Sequence, residues 1–326
     1  MENMGIKNIL VTGGLGYLGG RICENLSNFG FNITIVTSRK DASLPEALKD
    51  CSLVYVDFES YDCLLEVCKG INYVIHLASL NAQSCQLDPS KAIKINVNAT
   101  SKLIQASIKN KVEGFIYFST AHVYGSPLSG NVNESLKVNP LHPYAKTHKQ
   151  AEDQLFSAVK EKKISGVVLR LSNMVGRPLT SKANCWMLLV NDICKHAVTK
   201  KSITIIGNPY DQRDYLSIDV LNKILIKFLS IDLFKNSNID CIYNVGSGIS
   251  YSVSNIVDMV SNRCKSLFGF NPKIIYKREP IKVKVFNYNT SKIKSALNLQ
   301  INRKEDLQDS IDEVLLFCKE NFNESL

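Results

Sequence analysis

Long apolar runs are missing from this 326-residue chain: none approaches the roughly 18 residues of a membrane span, so no transmembrane helix is predicted. Met1 to Lys7 hold no apolar stretch of the kind a secretory leader carries. The ten cysteines stand at irregular gaps and include no C-x-x-C pair, which argues against a zinc site and against a disulfide framework. They read as reduced, mostly buried thiols; no metal site and a cytoplasmic location are predicted. Acidic residues are the scarcer charge, 30 against 39 Lys and Arg, for a net charge of +9. The excess is dispersed, with small clusters at Lys160, Lys162, Lys163 and at Lys200, Lys201. Neither cluster has the interleaved aromatics of a single-strand binder. The excess is assigned to a solvated surface, part of it available to phosphate-bearing ligands, and neither nucleic acid nor membrane is the expected partner.

What the chain does contain is alternation. Short runs rich in Val, Ile, Phe and Tyr predict strands at Asn8–Thr12, Asn32–Thr37, Leu53–Asp57, Tyr73–Leu77, Gly114–Ser119 and Gly166–Leu171. Helix-length segments separate them, the pattern of a parallel sheet covered on both faces. Asp88-Pro89 predicts a helix start, followed by apolar residues at helical spacing up to Ile108. After Gly176 the rhythm changes. A helix over Trp186–Ala197, a strand Ile203–Ile206, a helix from an Asp219 cap, a strand Cys241–Val245 and a tail helix Glu305–Phe322 are predicted. Asn184, Cys185 and Trp186 read as packing or pocket-wall residues. The expected fold is α/β: a Rossmann-type doubly wound parallel sheet with a smaller, interleaved α/β substrate-binding lobe. Its expected bounds are 1–175 for the dinucleotide-binding domain, with returns near 216–245, and 176–326 mainly for the lobe.

The segment Thr12-Gly13-Gly14-Leu15-Gly16-Tyr17-Leu18-Gly19 follows the first strand and opens the first helix. Glycine there permits a tight turn and close approach of a pyrophosphate, and the helix N-terminus favours the anion. Gly13, Gly16, Tyr17, Leu18 and Gly19 are therefore candidate cofactor contacts. The second strand ends in Thr37-Ser38-Arg39-Lys40, with no acid to repel a 2′-phosphate, so NADP(H) is favoured over NAD(H) with Arg39 as its contact. Asp57, with Phe58 beside it, is placed either to meet the adenine or to cap a helix.

From Ile9 to Lys292 these residues resemble the extended short-chain dehydrogenase/reductases of the nucleotide-sugar epimerase/dehydratase group. Thr12-Gly13 to Gly19, Val74-Ile75-His76-Leu77-Ala78, Phe118 to Gly125, His142-Pro143-Tyr144, Arg170 to Asn173, Arg213-Asp214-Tyr215 and Asn244-Val245-Gly246 follow the family order. The resemblance implies that Leu77, Ala78, Asn96 and Tyr144 line the cofactor and that Tyr144 is also the catalytic acid/base, with Thr120 on the same sugar oxygen. It implies that Asn173, Arg213 and Arg278 hold the diphosphate of a nucleotide-diphosphate sugar, and that two helices pair in a homodimer. The expected reaction is hydride exchange at one sugar carbon, C4 in the first place, in surface polysaccharide or deoxysugar synthesis.

The family places a lysine one helical turn after its tyrosine, to bring the phenolate, ordinarily near pKa 10, into range. This chain has His148 there, while Lys146 and Lys149 fall about 200° and 140° from Tyr144 around a helix. An imidazole can bond ribose hydroxyls, and with an ordinary pKa of about 6.5 it would be partly protonated at neutral pH. His148 is thus a candidate for both cofactor binding and catalysis. The Asp-Glu pair of the family's dehydratases is replaced by Ala121-His122, which disfavours dehydration. His122 is either an additional acid/base or a loop-lining residue. The departure at His148 also motivates an alternative, a dinucleotide-binding sensor or scaffold without turnover. A steroid-like alcohol as substrate is disfavoured by Asn173 and Arg213.

Overall fold

The computed structural model describes residues 7–230, 234, 241–299 and 304–322. The chain runs β1 (Asn8–Thr12), α1 (Tyr17–Asn28), β2 (Asn32–Thr37), β3 (Ser52–Tyr55), α2 (Tyr61–Val67), β4 (Tyr73–His76), α3 (Ala82–Leu87) and α4 (Pro89–Ala92). A π-helical turn, Ile93–Asn98, leads into α5 (Ala99–Lys109), β5 (Gly114–Thr120), β6 (Gly130–Val132), α6 (Pro143–Lys160), β7 (Gly166–Leu171) and β8 (Asn173–Val175). Next come α7 (Leu189–Lys200), β9 (Ser202–Ile205), β10 (Gln212–Ser217), α8 (Ile218–Ser230), β11 (Ile242–Val245) and β12 (Ser250–Ser252). The last elements are α9 (Val253–Phe268), β13 (Lys273–Tyr276), β14 (Phe286–Tyr288), α10 (Ser291–Leu297) and α11 (Lys304–Phe322).

Two compact units divide the chain. The first takes in the described residues up to Leu128, then Glu134–Leu171 and Leu225–Tyr243. It is built on a seven-stranded sheet of order β11-β7-β5-β4-β1-β2-β3, parallel at every pairing from β7 to β3. Strands β4, β5 and β7 are buried along their whole length, which is why they read as unbroken apolar runs. Leu64, Leu103, Ile104, Ala151 and Leu155 bring α2, α5 and α6 onto one face, against Leu10, Val74, Phe115 and Val168. Strand order reverses between β1 and β4, and in such sheets ligands bind in the crevice beyond the carboxyl ends at that point.

The second unit comprises Ser129–Asn133, Ser172–Ile224 and the described residues from Asn244 onward. It holds a three-stranded sheet β12-β10-β8 and the pairs β13-β9 and β14-β6. Its core packs Val190, Ile193, Cys194 and Ala197 of α7 with Ile256, Val257 and Val260 of α9 and Ile311, Val314 and Leu315 of α11.

Several local expectations move. The third strand stops at Tyr55, short of Asp57. The helix expected from Trp186 begins at Leu189. Trp186 instead sits in the preceding turn, its indole donating to Ser181 O at 2.9 Å and its ring packed on Phe317 and Phe322. Asp219 lies inside the first turn of α8 rather than ahead of it, and Ser217 Oγ accepts its N–H at 3.2 Å. The Asp88 cap holds, with Oδ1 accepting from Lys91 N at 2.9 Å and Pro89 at the first helical position. All ten cysteines are free, eight of them buried.

Candidate active site

At the crevice, Thr12 and His76 are register partners at the ends of β1 and β4, and Thr12 Oγ1 lies 2.6 Å from His76 Nδ1. The same oxygen accepts the N–H groups of Leu77 at 3.1 Å and Ala78 at 3.0 Å. With two donors already on its oxygen, the Thr12 hydroxyl gives its hydrogen to Nδ1. Burial, then the proximity of His148, lower the His76 pKa to about 3, so the ring is neutral. Its Nε2–H therefore goes to Thr100 Oγ1 at 2.7 Å, and Thr100 passes its own hydrogen to Asn96 O at 2.8 Å. This chain of bonds fixes the backbone of Leu77 and Ala78. Asn96, fully buried on the π turn, continues the support: its Oδ1 accepts from Leu80 N at 2.8 Å and its amide donates to Thr147 Oγ1 at 3.1 Å. In this structure Asn96 thus braces the loop after β4.

The glycine loop fits a dinucleotide. Gly13 has φ +72° and a Cβ there would come 3.0 Å from Ala78 N. A Cβ at Gly19 would sit 2.1 Å from Gly13 O, so α1 approaches its own entry turn closer than any side chain permits. Helix α1 opens at Gly16 without a side-chain cap and with no acid in its first turn, leaving the anion-favouring end uncontested by carboxylates. Tyr17 and Leu18 form its first two positions.

Beyond β2, Arg39 is exposed and its N–H is held by Thr37 Oγ1 at 3.2 Å. Lys40 lies over the Tyr55 ring at 5.5 Å. Asp57 caps no helix. Its Oδ1 turns onto Glu59 N at 2.9 Å, and Ser60 caps α2. Phe58 packs partly buried against the sheet's core.

The residues assigned to chemistry converge where β5 meets α6. Thr120 is the last residue of β5, and its Oγ1 accepts from His122 N at 3.2 Å, starting a short 3-10 turn through Tyr124. Pro143 starts α6, capped by His142, whose Nδ1 accepts from Tyr144 N at 3.2 Å. Tyr144 stands next to the Thr120 hydroxyl, which eases its ionisation. Burial above all, with Cys85 adding to it, pushes the phenol up to about 12. One turn on, His148 is 3% exposed and packs its ring edge to face on Tyr144, centroids 4.4 Å apart. Burial, then His122, lower its pKa to about 4, so the partial positive charge expected from an ordinary histidine is absent. His148 Nδ1 lies 2.8 Å from the Tyr117 hydroxyl, and Nε2 is buried with no partner among the described residues. His122 is itself exposed. Lys146 points to solvent and Lys149 pairs with Asp153, in line with their angular positions.

Two buried arrangements here escape sequence reasoning. Tyr117 touches His148 only because β5 and α6 pack together, and its separation in sequence hides the pair. Glu152, one turn beyond His148, takes Ser119 Oγ at 2.5 Å and both Nε (3.0 Å) and Nη2 (2.6 Å) of Arg170. Acid and base at 152 and 170 carry no spacing signal.

In the second unit, Asn173 is exposed at the start of β8 and stands in register with Tyr215 of β10, two residues beyond Arg213. Asn173 and Arg213 therefore share a face of that ladder. The Asn173 amide donates to Asp214 O at 2.9 Å. Asp214 is buried and accepts Ser247 N (2.9 Å), Ser247 Oγ (2.9 Å) and Gly248 N (2.6 Å). Burial raises its pKa despite these bonds. A Cβ on Gly246 would meet Asp214 Oδ1 at 2.6 Å, so the two late sequence motifs are halves of one structural lock. Arg278 is exposed, in the segment between β13 and β14.

Comparison with known proteins identifies the family and the fold. Residues 9–246 match the family model described as the NAD dependent epimerase/dehydratase family. A UDP-glucose 4-epimerase of Drosophila melanogaster is 30% identical over 290 residues, covering 78% of this chain and 81% of that protein. Among solved structures, the UDP-glucose 4-epimerase of Bifidobacterium longum in complex with NAD+ and UDP superposes with a TM-score of 0.78 at 24% identity, covering 97% of this chain and 99% of that one. The UDP-N-acetylglucosamine 4-epimerase of Methanobrevibacter ruminantium M1 gives 0.79 at 23%, covering 96% and 98%.

Proposed function

Because the chain belongs to the NAD dependent epimerase/dehydratase family, we propose that it is an NAD(P)-dependent 4-epimerase of a uridine-diphosphate sugar. The observation that carries this is the approach of Tyr144 to Thr120 at the carboxyl end of β5, beside Ala121, where a dehydratase would need an acid. The name of the Drosophila relative points to the same chemistry.

The protein's own residues fit the cofactor. The cradle of Gly13 and Gly19, which no Cβ could enter, accepts the pyrophosphate with Gly16, Tyr17 and Leu18, and the partnerless His148 Nε2 awaits a ribose oxygen. Leu77 and Ala78 line the nicotinamide half. A dinucleotide held there would supply reversible hydride acceptance from the sugar carbon. Tyr144 withdraws the proton of the C4 hydroxyl and gives it back, and Thr120 holds the same oxygen in place. His122 stands next to that pair as an auxiliary proton carrier. Asn173, Arg213 and Arg278 bind the diphosphate. Arg39, exposed at the end of β2 with no acid beside it, selects NADP(H) over NAD(H), while Asp57 and Phe58 flank the adenine.

Exposed Leu87 and Ile93, on and beside the short helices α3 and α4, and Phe156 on α6 support a homodimer through these elements. No helix among the described residues is long and apolar enough to cross a membrane. The ten free thiols are consistent with work in the cytoplasm, supplying sugars for polysaccharide.

The test has two parts. Denaturing the purified protein and identifying any released dinucleotide separates retained NAD(H) from NADP(H). Incubation with UDP-sugars, followed by NMR, should interconvert a C4-epimeric pair without net consumption of cofactor. Bound dinucleotide with no hydride transfer to any nucleotide sugar would favour the sensor or scaffold, the reading that the neutral His148 recommends.

A further inference from the structure

His148 stands where the family resemblance calls for a lysine, and a histidine needs something there that a lysine does not. A lysine presents three N–H donors whatever its surroundings. A neutral imidazole presents one, on whichever nitrogen carries the proton. The phenol of Tyr117, 31 residues away on β5, lies 2.8 Å from His148 Nδ1, and both side chains are buried.

Hydrogen-bond accounting gives that contact a direction. Burial, with Glu152 and Tyr144 adding to it, holds the Tyr117 phenol protonated well above the ordinary tyrosine value. Among the described residues its hydroxyl has one hydrogen-bond partner, His148 Nδ1. If Nδ1 carried the proton, the bond would reverse and the phenolic hydrogen would be buried without an acceptor. Tyr117 therefore donates, Nδ1 accepts, and the proton of the neutral ring resides on Nε2. That Nε2–H is buried with no partner among the described residues. The edge-to-face contact with Tyr144 holds the ring from the other side.

We infer that Tyr117 is a positioning residue, which locks His148 as the Nε2–H tautomer so that this single donor, in place of the family lysine, holds a ribose oxygen of the dinucleotide. The inference deepens the proposed function and rests on dinucleotide binding at this crevice. It does not depend on the identity of the sugar. The replacement is partial: His148 supplies the hydrogen bond of a lysine without its charge.

The first readout needs no variant of Tyr117. In cofactor-free, full-length protein with 15N-labelled histidine at pH 7, His148 should show a pyrrole-type Nε2 and a pyridine-type Nδ1, its signals identified by their loss in His148→Gln. An Nδ1–H tautomer would overturn the assignment outright. Tyr117→Phe should then give mixed tautomers and weaken NADPH binding roughly tenfold, with NADH as a second probe, the effect of one net hydrogen bond. In a His148→Lys background the same Tyr117→Phe change should alter NADPH affinity less than twofold, because lysine needs no tautomer set for it. Equal losses in both backgrounds would mean that Tyr117 serves packing alone. A protein with the Tyr117-dependent Nε2–H tautomer that binds neither dinucleotide would overturn the ribose contact and the cofactor reading together, leaving only the lock.

Discussion

Tyr144 and His148 stand one turn apart on α6 with ring centroids 4.4 Å apart and planes at 67°, edge to face. Their neighbouring lysines serve elsewhere, Lys146 in solvent and Lys149 on Asp153. The tyrosine assigned to proton exchange is therefore flanked by a neutral ring, and the group that eases its ionisation is the Thr120 hydroxyl rather than a cation.

Tyr144→Phe removes the proton carrier while keeping the ring that packs on His148. Turnover is expected to fall by about 10²–10⁴-fold, the usual worth of a positioned acid/base. Dinucleotide affinity should change little. Steady-state kcat and a fluorescence titration of reduced cofactor check the two halves; equal losses in both would assign Tyr144 to binding.

The fold was legible where burial is complete. Strands β4, β5 and β7 have no solvent face, so their apolar runs ended where the strands end to within a residue. The glycine loop was legible because its steric demand is local. Trp186 misled because its contacts with Phe317 and Phe322 are tertiary, yet they imitate the apolar start of a helix. The π turn at Ile93–Asn98 shifts helical phase too little to mark the sequence. The environment of His148 was illegible for a different reason. Its ordinary pKa assumes solvent, and the burial that moves it to about 4 arises only when β5 and α6 meet.

Arg39 is exposed at the end of β2, with its backbone tied to Thr37. If it contacts a 2′-phosphate, Arg39→Ala should weaken NADPH by roughly ten- to a hundredfold, the range for a charge-assisted hydrogen bond, and leave NADH unchanged. Parallel titrations with the two cofactors decide it; equal effects on both would remove Arg39 from the specificity site.

Glu152 and Arg170 form a bidentate pair, 1% and 3% exposed in their side chains, with Ser119 completing the carboxylate's bonds. Removing one partner strands the other charge out of water. Glu152→Ala is expected to cost about 3–5 kcal/mol of stability, read from urea midpoints. A loss under about 1 kcal/mol would show that Arg170 finds water or another partner.

Acid should destabilise the protein through His76 and His148. Their pKa values are lowered to about 3 and about 4, so the unfolded chain takes up these protons first, near pH 6.5. The contribution of each is complete above that pH and is lost as pH falls through the folded value. At pH 5 each accounts for about 2 kcal/mol of lost stability relative to pH 7.5. His148→Gln should recover about half of the loss that the two share, measured as the difference in urea unfolding free energy between pH 7.5 and pH 5. An unaltered difference would place His148 in contact with water.

The pH dependence of turnover tests whether the missing charge matters. The half-reaction in which Tyr144 withdraws a proton needs the phenolate, and burial holds the phenol at about 12 in the unliganded protein. Activity limited by that step should climb with pH through the whole neutral range. His148, already neutral above about pH 5, should add no inflection there. A lysine cation one turn away favours the phenolate and lowers a neighbouring acid's pKa by about 1–3 units. His148→Lys should therefore shift the rising limb of kcat toward lower pH by a similar amount and raise kcat at pH 7, while Tyr117→Phe leaves the limb in place. A limb that stays fixed in His148→Lys would mean that the residue at 148 does not govern Tyr144. The proton would then leave by another route, with exposed His122, beside Thr120, the nearest candidate to carry it.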